Sequence, residues 1–248
     1  MADPVPEIST RAAVRGEPSY TWRAGQERRF KLICGSAGTT IRGCVLEDGC
    51  GVGEYLVHLK ECSAQAVGLE FEFDRLLVAQ KKAAELTCGA AEHLPFPDQS
   101  FDMVLSHEVL EHVQDDRKSV REIIRVLKPG GRLLLFVPNR GYPFETHGIY
   151  WKGKYSFGNK LFINYLPLKW RNQLAPHVRV YGSRDLVRLF SGEKVRILQK
   201  TILFGAYDNL IARFGWLGRL LRFILQTFEH TPLKFFGLSH FWVLEKTR

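Results

Sequence analysis

The feature that most restricts the fold is an apolar run that breaks into glycines and then resumes at helical spacing. Val45 and Leu46 lead into Glu47-Asp48-Gly49-Cys50-Gly51-Val52-Gly53, after which Tyr55, Leu56 and Leu59 recur at helical intervals. This reads as strand, glycine turn, helix. Ala66-Val67-Gly68-Leu69, ending in Glu70, repeats the pattern, with a helix expected through Leu76, Leu77, Ala79, Ala83, Ala84 and Leu86. Phe101 to Leu105 gives a third strand, and Val120, Ile123, Ile124 and Leu127 mark one face of the next helix. Lys128-Pro129-Gly130-Gly131 supplies stop chemistry for that helix, and Leu133 to Val137 follows as a fully buried strand. Strands alternating with helices imply a parallel sheet with right-handed crossovers, so the expected fold is α/β, doubly wound and mostly parallel.

After Pro138 the texture becomes aromatic and Gly-rich without a clear period, and an irregular insertion following the fifth strand is expected there. Beyond it, Ser183 can cap a helix through Phe190, Val195 to Leu203 reads as a strand, and Phe241 to Leu244 as a closing strand. The 248 residues are read as a single domain in four stretches: an N-terminal helical cover (1–42), a cofactor-binding core (43–138), an acceptor insertion (139–182), and C-terminal strands with an amphipathic helix (183–248).

Composition narrows the class. With 45% hydrophobic and 25% charged residues the chain suits a globular protein. Its five cysteines form no C-x-x-C pair and are odd in number, which fits a reducing compartment better than a disulfide framework. The N-terminus lacks the apolar core of a signal peptide and no apolar run of about 18 residues occurs, so a cytoplasmic location is expected. The net charge of +9 is unevenly spread: residues 1–150 carry 18 Lys+Arg against 21 Asp+Glu, and residues 151–248 carry 17 against 5. An acidic half suits a cationic ligand, and a basic half suits anionic lipid, phosphate or nucleic acid, or merely confers solubility.

Glycines at the mouth of a strand let backbone approach a ligand closely, where open α/β sheets bind nucleotides. Glu70 lies 21 residues after Gly49 at the tip of the next strand, placed to accept the hydroxyls of a ribose. A dinucleotide fingerprint beginning at Gly49 needs glycine at 54, where Glu54 stands, and no P-loop run exists. Glu47 and Asp48 beside the turn would repel phosphates but suit the ammonium and sulfonium of S-adenosylmethionine.

At these residues the chain resembles the class I S-adenosylmethionine-dependent methyltransferases, in particular the subgroup common in quinone, lipid and small-molecule methylation. VLEDGCGVG resembles the first family motif, VGLE the ribose-binding acid, AEHLPFPDQSFDMVLSHEVLEHV the third and fourth motifs, and LKPGG the post-catalytic turn, together covering about residues 43 to 138. The resemblance implies a Rossmann-like methyltransferase fold with S-adenosylmethionine as cofactor and S-adenosylhomocysteine as product. It implies that Glu47 orients the methionine ammonium, that Gly49, Cys50, Gly51 and Gly53 pass beneath the methionine part, and that Glu70 holds the ribose. Phe71 would flank adenine, Ala91 and Glu92 would lie along its polar edge, and Ser106 with His107 would sit beside the methionine and the transferring methyl. Two positions depart from the pattern. Ala90 stands where many relatives carry Asp, and Asp48 occupies a usually apolar position, so its carboxylate either faces solvent or joins the ligand site.

His107 is the candidate general base, with a structural role in the cofactor shell as its alternative. HEVLEH superficially resembles a zinc-protease helix, but histidines five apart lie about 140° apart on a helix, so no metal is expected. Tyr142, His147, Tyr150 and Trp151 in the insertion are the acceptor-site candidates, with packing in an accessory core as the alternative. The expected acceptor is a small-molecule or lipophilic nucleophile. Nucleic acid is disfavoured because Ser106-His107-Glu108-Val109 replaces the N-P-P-Y or D-P-P-Y run of base-modifying enzymes. A non-catalytic cofactor-binding or docking module is the remaining rival. Finally, Leu210 to Phe228 reads as one amphipathic helix with Arg213, Arg219 and Arg222 interspersed, which either lies on an anionic membrane or packs as a lid over the acceptor site.

Overall fold

The computed structural model describes residues 20–83 and 85–248, with the side chains of Asn209 and Leu210 excepted. The first 19 residues of the expected cover, Ala84 in the expected second helix and the Leu210 side chain therefore lie outside the described residues.

Seven strands form the central sheet: β1 (Cys44–Asp48), β2 (Gln65–Glu70), β3 (Leu86–Cys88), β4 (Phe101–His107), β5 (Leu127–Pro138), β10 (Val195–Leu203) and β11 (Ser239–Lys246). Their spatial order is β10-β11-β5-β4-β1-β2-β3, with β1 to β5 parallel and β11 antiparallel to both neighbours. The order reverses between β1 and β4, so the carboxyl ends of these two strands open a crevice at the switch point, where such sheets take ligands. The sheet is the doubly wound, mostly parallel one expected.

Two buried clusters sandwich it. On one face Leu46, Val104, Leu133 and Leu135 pack with α4 (Asp116–Val126) through Val120, Ile123 and Ile124. On the other, Val45, Met103, Leu134 and Phe136 meet Ile33 and Ala37 of α1 (Ala24–Ala37) and Leu56 and Leu59 of α2 (Glu54–Cys62). The Asp115 side chain accepts from the Lys118 N–H at 3.0 Å, capping α4.

Local boundaries differ from the sequence expectation in four places. The helix after Glu70, α3, spans only Phe73–Ala79, and Leu86 begins the edge strand β3, pairing with Gly68. Three-residue strands carry too little periodicity to separate from a helix tail. Leu127 is already in β5, paired with Phe101, so α4 ends at Val126 and the Lys-Pro-Gly-Gly run is a deformation within the strand. Ser183 is the first residue of α6 (Ser183–Leu189), whose entry is closed by the Asp185 carboxylate accepting from Gly182 N–H at 2.9 Å. The tail helix is two helices, α7 (Asp208–Phe214) and α8 (Trp216–Thr227), broken at Gly215 with φ 54°. Only a glycine adopts that backbone at low cost, and it turns the second helix off the axis of the first.

The insertion after β5 holds two short antiparallel pairs, β6 (Phe144–Glu145) with β9 (Lys160–Leu161) and β7 (Ile149–Trp151) with β8 (Lys154–Ser156), then α5 (Leu168–Leu174). Its anchor is polar: Arg171 on α5, 1% exposed, donates to the buried Glu145 at 2.5 Å. Among the described residues no helix is long and apolar enough to cross a membrane, and the five cysteines are free thiols.

Candidate cofactor and acceptor site

Gly49, Gly51 and Gly53 all take positive φ, 74°, 55° and 80°. Gly49 must be glycine twice over, since a Cβ there would also collide with the Val109 side chain. Glu70 organises this turn from the neighbouring strand. Its Oε2 accepts from the Gly51 N–H at 2.9 Å and its Oε1 from the Glu72 N–H at 2.8 Å, while the Cys50 N–H donates to the Leu69 carbonyl at 2.8 Å.

The turn floors a cavity of about 1060 Å³, at the upper end of the range for small-molecule sites and large enough for a nucleoside cofactor together with a second molecule. Of the candidate site residues, Glu47, Gly49, Cys50, Gly51, Glu70, Phe71, Ala91, Glu92, His107 and His147 reach its wall. Phe71 is half exposed at the rim, as a ring covering a flat ligand would be, and Ala91 is buried. The Glu92 Oε1 is already engaged by the Gln114 N–H at 2.7 Å, so it braces the far loop. Gly53 is not on the wall; a Cβ at this position would sit 3.3 Å from Ala79, and its role is to bring α2 close to α3. Ser106 is not on the wall either. It is fully buried, and its hydroxyl donates to Asp48 Oδ2 at 3.1 Å, a contact built by the β1–β4 register, which pairs Asp48 with Ser106.

Asp48 thus turns inward beside the cavity rather than to solvent. It is completely buried, and burial raises its carboxyl to about 7, opposed by the Ser106 bond and reinforced by the charges of Glu70 and Glu92. Burial, followed by Glu70 and Asp48, also pushes Glu47 well above the ordinary carboxylate range. Glu47 Oε2 and Asp48 Oδ1 are buried with no hydrogen-bond partner among the described residues. Two buried acceptor atoms on residues that line the cavity, lacking donors of their own, fit a cationic ligand that brings N–H groups, as the ammonium of S-adenosylmethionine does.

His107, at the carboxyl end of β4, faces the cavity with its Nε2 2.7 Å from Arg29 Nη1. Burial first and the Arg29 charge second lower it to about 3, so it is neutral at physiological pH with one ring nitrogen occupied by the guanidinium. Arg29, on α1, also reaches Glu108 Oε1 at 3.3 Å and Ser239 Oγ at 3.1 Å. Burial opposes ionisation of Glu108, but Arg29, His107 and Ser239 outweigh it and hold that carboxyl down to about 2. No local pattern around Arg29 marks it, because the residues it bridges come from β4 and β11, some 80 and 210 positions away; only its place on a helix that covers the sheet gives it this role.

Of the acceptor candidates, His147 and its neighbour Thr146 reach the cavity, as does Phe157. Tyr142, Tyr150 and Trp151 do not. Tyr142 is hydrogen-bonded to Tyr207, Tyr150 packs on Tyr155 and His177 with ring centroids 5.2 and 5.6 Å apart, and Trp151 is largely exposed. They build the insertion's own small core and surface. The HEVLEH segment is a set of turns after β4 and not a helix, so its histidines diverge: His107 goes to Arg29, and His112 to His147, ring centroids 5.2 Å apart.

A methyltransferase domain family matches residues 46–135, from β1 into β5. The methyltransferase YcgJ of Bacillus subtilis, itself uncharacterised, is 38% identical over 183 residues, 69% of this chain and 65% of its own length. The demethylmenaquinone methyltransferase of Lactiplantibacillus plantarum is 39% identical over 101 residues, 36% of this chain and 43% of its own. An S-adenosylmethionine-dependent methyltransferase from Mesorhizobium loti superposes with a TM-score of 0.62 at 16% identity, covering 90% of this chain and 98% of that one, which establishes the fold. The matches span between 34% and 66% of the length of the curated relatives. With the domain match running through the glycine turn, Glu70 and the β4 loop, and the whole sheet laid out as in a methyltransferase, the chain carries a methyltransferase domain in the fold of the class I S-adenosylmethionine-dependent methyltransferases.

Proposed function

We propose that the chain transfers the methyl group of S-adenosylmethionine to a small lipophilic acceptor drawn from the surface of an anionic membrane. The observation that carries this reading is the outward face of α8. Trp216, Leu217, Leu220, Leu221, Phe223 and Ile224 are exposed, Trp216 and Phe223 by 65% and 66%, whereas the side of the helix turned to the protein carries the buried Gly218 and the half-buried Arg222, Leu225 and Gln226. A lid helix would bury its apolar side chains; this one presents them. The exposed Arg213 and Arg219 flank the apolar face and lie in the strongly basic half of the chain, complementing anionic headgroups. Phe204, Gly205 and Ala206, directly before α7, line the cavity, so an apolar molecule leaving a bilayer at this helix has a short route to the cofactor.

Incubation with labelled S-adenosylmethionine and separated lipid, metabolite and RNA pools tests the reaction, with label expected in an apolar small-molecule fraction. Label in RNA alone would refute the acceptor class. Flotation with liposomes tests the docking surface: binding should require anionic lipid and weaken with salt. Arg219→Ala should lower it about fivefold, the effect of removing about 1 kcal/mol of headgroup attraction, with S-adenosylhomocysteine affinity unchanged. Equal binding to neutral and anionic vesicles would refute the electrostatic half of the reading.

A further inference from the structure

We propose that Glu111, His112 and His147 form a binding site for a divalent first-row transition ion at the acceptor end of the cavity. One donor atom from each lies within 4.8 Å of the others. Ligands on one ion at about 2.1 Å each are at most about 4.2 Å apart, so small side-chain rotations close the set. His112 and His147 stand on the cavity wall, with Glu111 behind them.

Two independent observations point to a cation. Glu111 is 1% exposed, and its carboxyl meets no N–H donor of another described residue; it shares a hydrogen bond with the Glu108 carboxyl instead. No Lys or Arg among those residues pairs with it either, and the negative Glu108 lies beside it. A buried carboxyl held against a second one is neutralised by a shared proton, and a divalent cation can take that proton's place. The second observation is behind His147. Its Nδ1 is 3.1 Å from Glu145 Oε1, which also accepts the His147 backbone N–H at 3.0 Å, and Arg171 holds the other Glu145 oxygen. A carboxylate on one ring nitrogen fixes the tautomer that leaves Nε2 as a lone-pair donor, the usual support of a metal-ligating histidine.

Two imidazoles and one carboxylate suit Mn²⁺, Co²⁺ or Zn²⁺ and leave coordination positions open to the cavity. Resting on the methyltransferase reading above, the site selects an acceptor bearing a hydroxyl, or two neighbouring oxygens, that can complete the coordination. Metal coordination acidifies that hydroxyl. Its oxygen forms the new O–CH₃ bond as the CH₃–S bond breaks, the electron pair stays on sulfur to give S-adenosylhomocysteine, and the hydroxyl proton passes to water.

The test uses the full chain with Co²⁺ alone, followed by visible absorption and calorimetry. One equivalent is expected, with ligand-field bands, and Glu111→Gln and His147→Ala should each weaken it more than tenfold. S-adenosylhomocysteine affinity, measured on the same samples, should stay within about twofold, which shows that the variants are folded and separates this result from failure of the cofactor reading. If either variant loses cofactor binding, His112→Ala takes its place. Absence of the bands, a near-ultraviolet thiolate charge-transfer band in their stead, or equal Co²⁺ affinity in wild type and variants would overturn the proposal.

Discussion

Glu70→Ala is expected to bind S-adenosylhomocysteine roughly 10- to 150-fold more weakly than the wild type, measured by titration calorimetry at neutral pH. The range follows from about 1.5 to 3 kcal/mol for hydrogen bonds to a charged group. Here the loss has two origins. The buried carboxylate holds the glycine turn through the Gly51 N–H and the following helix entry through the Glu72 N–H, and the proposed cofactor site assigns it the ribose hydroxyls as well. Glu70→Gln keeps the shape and one acceptor oxygen, so it should fall between. NAD should bind negligibly to all three proteins, since Glu54 replaces the third glycine of a pyrophosphate site. Unchanged affinity in Glu70→Ala would mean that the acid does not contact the cofactor.

The second large effect is a dependence on pH. Asp48 is raised from 3.8 to about 7 by burial, so between these values the folded protein retains a proton that the unfolded chain releases. Stability of the cofactor-free protein therefore falls as pH rises from about 4 to 7. At 1.36 kcal/mol per unit, the Asp48 share is about 4 kcal/mol. Glu47, shifted in the same direction, adds to the slope. Cofactor binding runs the other way. A sulfonium and an ammonium favour ionised carboxylates, so affinity for S-adenosylmethionine should climb with pH and level off above 7, with proton uptake by the buffer visible below it. Denaturant unfolding across pH 4 to 8 checks the first part, and Asp48→Asn should flatten the curve while weakening S-adenosylmethionine binding. The same slope in wild type and Asp48→Asn would show that another group carries the linkage.

The two effects differ in how visible they were before the fold was known. Gly49 to Gly53 and Glu70 are legible because their roles are local: a turn needing positive φ announces itself by glycine, and an acid at a strand tip follows from counting along the next strand. Asp48 was ambiguous, because an acid at the end of an apolar run can point to water or inward, and only the register of β1 against β4 decides by placing Ser106 beside it. The same distinction explains the acceptor candidates. Tyr142, Tyr150, Trp151 and His147 share an aromatic, aperiodic stretch, and nothing in that composition tells that one faces the cavity while three build the insertion itself.

The sequence by itself determined the alternation of strands and helices from β1 to β5, the glycine turn and the acid at the tip of β2, because hydrophobic period and turn chemistry are properties of neighbouring residues. Tertiary structure alone decided the rest. It placed β11 antiparallel between β5 and β10, laid Arg29 of the covering helix across His107 and Glu108, broke the tail helix at Gly215 with its apolar face outward, and turned His147 toward Glu111 and His112. Each of these joins residues tens to hundreds of positions apart. Such contacts are selected by the shared burial of whole faces and by which polar groups must find partners once water is excluded, and neither condition is written in any local stretch of the chain.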